Sequence, residues 1–374
     1  MRWGFTAKIR FLGVSGFMPG AVTSVLKSAL RAMQLSGIDH MVGSLTNNVG
    51  VIFMLHHVAP DTNKAFEPNS ILRIRPDFLE QVIATVLADG FEVIALDDVP
   101  ERLKVGARHE RPFACFTFDD GYKDNRDFAY PILKRHNLPF TVYVPEQFAN
   151  GNGDLWWLAL EGAINAANQV AVQMDGERLV FDTRSTEQKY AAHDKIYWWL
   201  RNIPEDRARA VVADLARTAG FDTSTLCKNL VMNWDELREF AADPLVTIGA
   251  HATAHHSLKK LPLAQAREDM RLSIEAIENN LGKPCHHFAY PYGSKIDAGP
   301  REFQLARELG LTTAVTTRKG LLQPDHAYKL TSLPRLSLNG DYQDIGLLKT
   351  ILSGAPFALL NAARAVAGGN VDAA

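Results

Sequence analysis

From residue 50 onward the chain alternates short, continuously apolar runs with segments of helical periodicity, and this alternation restricts the fold more than any other feature. "VGVIFMLHHV", "FEVIALDDV", "FACFTF", "PFTVYVP", "LVTIGAH", "HHFAYPYG" and "TTAVTT" have strand length and lack a polar alternate face. Strands covered on both sides read this way. Between them, "RPDFLEQVIATVLADG" sets Phe78, Val82, Ile83 and Val86 on one helical stripe and reaches Gly90 where a helix would stop. "FAYPILKRHN", the stretch ending near "IENNLG" and "PREFQLARELG" are helical as well. Strand–helix–strand units build a parallel sheet, open or closed into a barrel.

The regular pattern is interrupted at about residues 150–232. That stretch holds "LWWLALEGAINAA", an alternating "QVAVQMDGERLVF" with a hairpin-like "DG", and "YWWLRNIPEDRARAVVADLARTAG". It is read as an insertion with its own helices and a small hairpin. Residues 1–45 form an accessory N-terminal segment, 46–340 the main domain, and 341–374 a helical tail. The first segment has Arg2, Lys8 and Arg10 ahead of an apolar run, but Gly13, Gly16, Pro19 and Gly20 break it and no small-residue cleavage site follows. Both apolar ends either pack against the protein body or make peripheral contact with a membrane surface. A cytoplasmic protein, peripheral at the inner membrane in the second case, is the expectation.

A net charge of -2 gives no basic footprint for nucleic acid. Cys115, Cys227 and Cys285 have no CxxC spacing, which argues against a disulfide framework and for a reducing compartment.

Functional residues of parallel α/β folds collect at the carboxyl ends of strands, and three such ends carry chemistry here. "FTFDDG" ends on Asp119 and Asp120, "GAHATAHHSL" sets His251 and His255 four residues apart, and "FAYPYG" runs into Pro291, Tyr292 and Gly293. One Asp and two His make a facial three-ligand set for a divalent metal. HxxxH alone is weak, and His256 crowds it; the conjunction of three motifs on one face of a sheet is the specific signal. Two adjacent acids repel, and a dication at Asp120 relieves that conflict. Asp119 is then left as a candidate general base for water.

In order, "TFDDG", "HATAH" and "FAYPYG" resemble the first three motifs of the polysaccharide deacetylases (carbohydrate esterase family 4, the NodB-homology enzymes), over roughly residues 50–340 without the insertion. The resemblance implies a distorted (β/α) barrel and metal-dependent removal of acetyl groups from an acetylated oligo- or polysaccharide. It makes Asp119 the catalytic base and Asp120, His251 and His255 the ligands of a metal, usually Zn2+, with Co2+ or Ni2+ able to serve. It gives the Tyr292 amide a share in holding the oxyanion, and Pro291 and Tyr292 one wall of the acetyl groove. The chain departs from the pattern twice. Ala289 stands near where the third motif has an Arg that braces the base, and Arg335 in "LPRLSL" is a distant substitute. The Leu-His strand usual near the C-terminus is replaced by "VIFMLHH" at the start, as in the exopolysaccharide branch. The first and last strands of a closed barrel are neighbours, so His56 is nominated as general acid, with His57 competing.

Trp156, Trp157, Trp198 and Trp199 in the insertion either line a saccharide groove or fill a core. Trp234 is read as packing, and Cys115 and Cys285 as small buried residues. The expected activity is deacetylation of N-acetylglucosamine-containing saccharide. The substrate candidates are a chitooligosaccharide, an exopolysaccharide and peptidoglycan, with the third-motif variant tilting toward exopolysaccharide or lipid-linked oligosaccharide. The alternatives are a hydrolase of a non-sugar amide or ester and a saccharide-binding pseudoenzyme; the missing third-motif Arg sustains the latter.

Overall fold

Why the strands close on one another follows from the phase of their side chains. In a computed structural model of the chain, which describes residues 20–43, 46–105 and 111–366, seven parallel strands form the barrel. They are β1 (Gly50–Leu55), β2 (Phe113–Phe118), β3 (Phe140–Val144), β4 (Val246–Ala250), β5 (His287–Ala289), β6 (Thr313–Lys319) and β7 (Leu333–Ser337). Each pairs with its neighbours in sequence order, and β1 closes the ring by pairing with both β2 and β7. The β1–β2 seam is long, from Gly50 opposite Phe113 to Leu55 opposite Phe118. The β7–β1 seam holds Phe53 opposite Leu336 and Met54 opposite Ser337.

Alternate residues face opposite sides of a strand. Ile52, Phe113, Cys115, Tyr143, Ala289, Val315 and Leu333 pack together inside the barrel. Val51, Phe53, Leu55, Phe116 and Phe118 face outward onto surrounding helices. Helix Pro76–Ala88 covers part of that outer face with Phe78, Leu79, Val82, Ile83 and Val86, all buried. Burying a side chain of this size stabilises the fold by roughly 1.5–3 kcal/mol. The chain reverses at Gly90, φ 84°, a conformation that costs glycine nothing.

Two sequence expectations need correction. "FEVIALDDV" forms only the two-residue strand Glu92–Val93, paired with Phe113 and Ala114 of β2. Further along, that edge of β2 is taken by β3 at Phe116, Thr117 and Phe118, so the segment turns away into a 3-10 turn at Leu96–Asp98. In contrast, β7 is a strand that the apolar pattern does not announce, because Pro334 and Arg335 interrupt it. Arg335 is nevertheless fully buried.

Between β3 and β4 lie helices Trp156–Ala166, Thr186–Asn202, Glu205–Thr218 and Leu226–Leu230 and a hairpin, Gln169–Met174 with Glu177–Asp182. The hairpin turns at Asp175 and Gly176, both with positive φ, as the "DG" signal requires. Ser185 caps helix Thr186–Asn202 in a reciprocal capping box with Gln188. These elements share a core of Leu160, Ile164, Ile196, Leu200, Val212 and Leu215 that extends to Tyr122 and Tyr292 at the mouth of the barrel.

Helices Gly20–Ser36 and Ile38–Gly43 pack with Ile345–Leu352 and Ala355–Val366. Thr350 donates to Asp39 across them at 3.1 Å. Among the described residues no single helix is long and apolar enough to cross a membrane. The basic residues Arg2, Lys8 and Arg10 lie outside the described residues.

Candidate active site

Strand phase carries the key side chains inward. In β2, Phe113 and Cys115 face the interior, and continuing that alternation brings Asp119 over the barrel mouth. In β1, Ile52 faces inward, so His56 shares its phase and His57 takes the opposite one. In β7, Leu333 is interior and Arg335 follows in the same phase.

These three meet. Arg335 grips Asp119 bidentately, Nη1 to Oδ1 and Nη2 to Oδ2, both at 2.7 Å. Its Nη1 also donates to Thr117 Oγ1 at 3.1 Å and its Nε to the Thr316 carbonyl at 2.9 Å. Fork-to-fork pairing of this kind fixes a carboxylate in position as well as in charge. Burial pushes the Asp119 carboxyl up, but Arg335 outweighs it and holds the group down at about 2. The guanidinium missing at Ala289 therefore arrives from β7.

Asp120 has the opposite electrostatics. Burial and the neighbouring Asp119 charge push its carboxyl well above the usual range. Its Oδ1 is buried without a hydrogen-bond partner among the described residues and faces His251 Nε2 at 3.6 Å and His255 Nε2 at 3.5 Å. The three ligand atoms lie within 4.8 Å of one another. His251 Nδ1 lies 2.7 Å from the Ala289 carbonyl, which fixes the proton there and leaves the Nε2 lone pair toward Asp120. Burial pulls both imidazoles down and keeps them neutral. An orphaned acid oxygen facing two neutral imidazoles fits a divalent cation, which would reverse each of these costs. His256 turns away toward Asp269, 3.6 Å distant.

His56 Nε2 stands 4.0 Å from Asp119 Oδ2. Burial pulls its imidazole down to about 4, with Asp119 opposing and Arg335 assisting. His57 is committed elsewhere: its Nδ1 lies 2.6 Å from Asp124 and its ring stacks on Tyr122 at 3.7 Å. Asn125, next along, donates to the His56 carbonyl at 2.7 Å.

Pro291 is buried and Tyr292 half-buried beside this group. The Tyr292 ring meets His255 edge-on at 4.6 Å, and its hydroxyl accepts from Trp156 Nε1 at 2.8 Å. Asp120, Ala252, His255 and Tyr292 all adopt positive φ, which costs a non-glycine residue roughly 1–3 kcal/mol. All three motif loops thus store backbone strain. Trp156, Trp157 and Trp199 are buried, so their rings pack instead of meeting solvent. Trp198 is half-buried and bonds Asp194, and Trp234 packs on the main core. Cys115 and Cys285 are buried, and burial pushes the Cys285 thiol up to about 12.

The family model for polysaccharide deacetylase matches residues 106–314, more than half of the chain. The chain belongs to the polysaccharide deacetylase family. Among solved structures, the chain is similar to a Streptococcus pyogenes deacetylase, PplD, in complex with acetate. That match has 17% identity and a TM-score of 0.54, covering 82% of this chain and 99% of that one. IcaB from Ammonifex degensii matches at 16% identity and TM-score 0.49, over 81% and 97% of the two chains. The likeness to PplD, at this identity, speaks for the fold alone. A comparison with curated proteins gave no match. As a polysaccharide deacetylase, the protein is a hydrolase of amide or ester bonds on an acetylated saccharide, in a family that is generally metal-dependent.

Sequence reading missed Arg201 and Arg209 of the insertion. Arg201 lies 3.6 Å over the Tyr292 ring, and Arg209 bonds the carbonyl of Ala254. Nothing in the pattern separates either from an ordinary helix-surface arginine.

Proposed function

We propose that the protein removes N-acetyl groups from an N-acetylglucosamine-containing oligo- or polysaccharide, with Asp120, His251 and His255 holding a divalent metal, zinc first among the candidates. The division of labour between two adjacent acids carries this reading. Asp119 is ionised and braced by Arg335, whereas Asp120 presents an unpartnered oxygen to two imidazoles. A saccharide-binding protein would have no use for a braced, ionised acid beside a ligand set.

A cation held there would supply Lewis-acid polarisation of the acetamide carbonyl. Asp119 would accept the proton of the attacking water; Arg335 keeps it ionised and aimed until it does so. Tyr292, with Pro291, would wall the acetyl group, and its backbone N–H would donate to the developing oxyanion. His56, neutral at rest with its Nε2 4.0 Å from Asp119, would take over the proton that Asp119 accepted from water and deliver it to the departing amine. Acetate and a free amino sugar result.

The test is acetate release from N-acetylglucosamine oligomers by zinc-loaded protein, beside the Asp119→Asn variant. The variant should keep its zinc and lose roughly 10²–10⁴-fold in rate. Zinc lost along with activity would make Asp119 a ligand. Zinc-loaded wild type that deacetylates no acetylated saccharide would favour the binding-protein reading.

A further inference from the structure

The two histidines of the metal set are supported in different ways. His251 belongs to the barrel: its backbone N–H donates to Val144 at 3.2 Å and its Nδ1 meets the Ala289 carbonyl. His255 sits beyond the strand at φ 56°, and its Nδ1 has no hydrogen-bond partner among the described residues. A ligating imidazole is ordinarily oriented through its other nitrogen, so packing must orient His255 instead.

Part of that packing comes from the insertion, whose Trp157 ring lies 5.2 Å from the His255 ring. Phe148, in the short helix Glu146–Ala149 ahead of the insertion, stacks at 6.0 Å. Tyr292 closes a further side and is itself clamped by Trp156 and by Arg201, whose charge Asp297 balances at 2.7 Å. Arg209, from helix Glu205–Thr218, donates through Nη2 to the carbonyls of Ala254 at 2.8 Å and His255 at 3.5 Å. Its Nη1 reaches Asp154, carbonyl at 3.3 Å and carboxylate at 3.4 Å. The middle of the loop is held independently, since Thr253 bonds Asp269 through both its amide and its hydroxyl. Loss of Arg209 would therefore free the orientation of His255 without unfolding the loop.

We propose that docking of the insertion and occupancy of the metal site are thermodynamically coupled, with Arg209 the positioning residue that links them through His255. This rests on reading Asp120, His251 and His255 as a metal set. Coupling is reciprocal: if the insertion raises zinc affinity, zinc must tighten the insertion by the same factor.

The experiment measures Zn2+ affinity by competition with a chromogenic chelator, and hydrogen exchange of residues 205–218 with and without Zn2+. Arg209→Gln should weaken zinc binding roughly 10–100-fold. Zinc should slow exchange of 205–218 in the wild type but not in the variant. Arg209→Lys, which keeps a cation for one carbonyl, should recover part of both effects. Arg217→Gln, exposed on the same helix, should match the wild type. Folded Arg209→Gln with unchanged zinc affinity would overturn the coupling; should that variant not fold, wild-type affinity and zinc-independent exchange in Arg209→Lys would do so. Wild-type protein that takes up no zinc would overturn the metal reading itself, and the coupling with it.

Discussion

Replacing Arg335 by Met tests the buried ion pair on which the reading of Asp119 depends. Arg335 is 0% exposed and Asp119 2%, so the variant leaves a carboxylate with no solvent to replace two 2.7 Å charged hydrogen bonds. Removing one partner of such a pair typically costs 3–5 kcal/mol. A second route gives a similar figure. If the stranded acid escapes by binding a proton, the cost at pH 7 is the gap to its ordinary value of 3.8, or about 4 kcal/mol at 1.36 kcal/mol per unit. At pH 4 that proton costs under about 1 kcal/mol.

The wild-type group behaves oppositely. Its pKa is depressed to about 2, so its stabilisation is present above 3.8 and is lost only as pH falls through 2. The stability gap between wild type and Arg335→Met should therefore be about 4 kcal/mol at pH 7 and narrow by roughly 3 kcal/mol at pH 4. Urea denaturation of chelator-treated protein at the two pH values measures it. Adding Asp119→Asn should recover part of the loss, because no charge remains to strand. A gap under about 1 kcal/mol at pH 7, or one that does not narrow at pH 4, would refute the argument.

Two further outcomes concern buried or half-buried histidines. His56→Gln should slow deacetylation roughly 10²–10⁴-fold, whereas His57→Gln, which breaks the bond to Asp124, should lower thermal stability and leave the rate within about tenfold; steady-state kinetics with melting curves separate them, and the reverse order would move the acid role to His57. His193 is 2% exposed, and burial pulls its imidazole down to about 4 from 6.5. The unfolded chain then binds the extra proton between these values, so stability should fall by up to about 3 kcal/mol as pH drops from 6.5 to 4. His193→Gln should remove that share of the slope in denaturation midpoints.

The parts of the site that are legible in sequence are those where strand ends and motifs coincide. Asp119, Asp120, His251 and His255 lie within or beside strands whose apolar runs are unmistakable, and a barrel mouth gathers strand ends without further instruction. The choice between His56 and His57 required the phase of β1, which the sequence "MLHH" leaves open because both flanks are apolar. Strand β7 stayed hidden because its one charged residue is the brace itself: Arg335 breaks the apolar run for the same reason that it serves Asp119. The insertion was visible as an interruption, and its hairpin by "DG". The contribution of Trp156, Trp157, Arg201 and Arg209 to the surroundings of His255 was not visible. That arrangement depends on how a separate core docks on the barrel, which no local periodicity encodes.

The pairing of Asp119 with a residue 216 positions away also sets an order in time. At about 5–20 residues per second, synthesis of a chain reaches position 335 roughly 10–40 s after position 119. Once position 255 has been made, a growing polypeptide contains both acids and all the imidazoles of the site, but until position 335 it lacks the guanidinium that makes one acid different from the other. The two carboxylates become chemically distinct only when the last strand seats against the first, so the braced acid is a product of ring closure and belongs to no segment by itself.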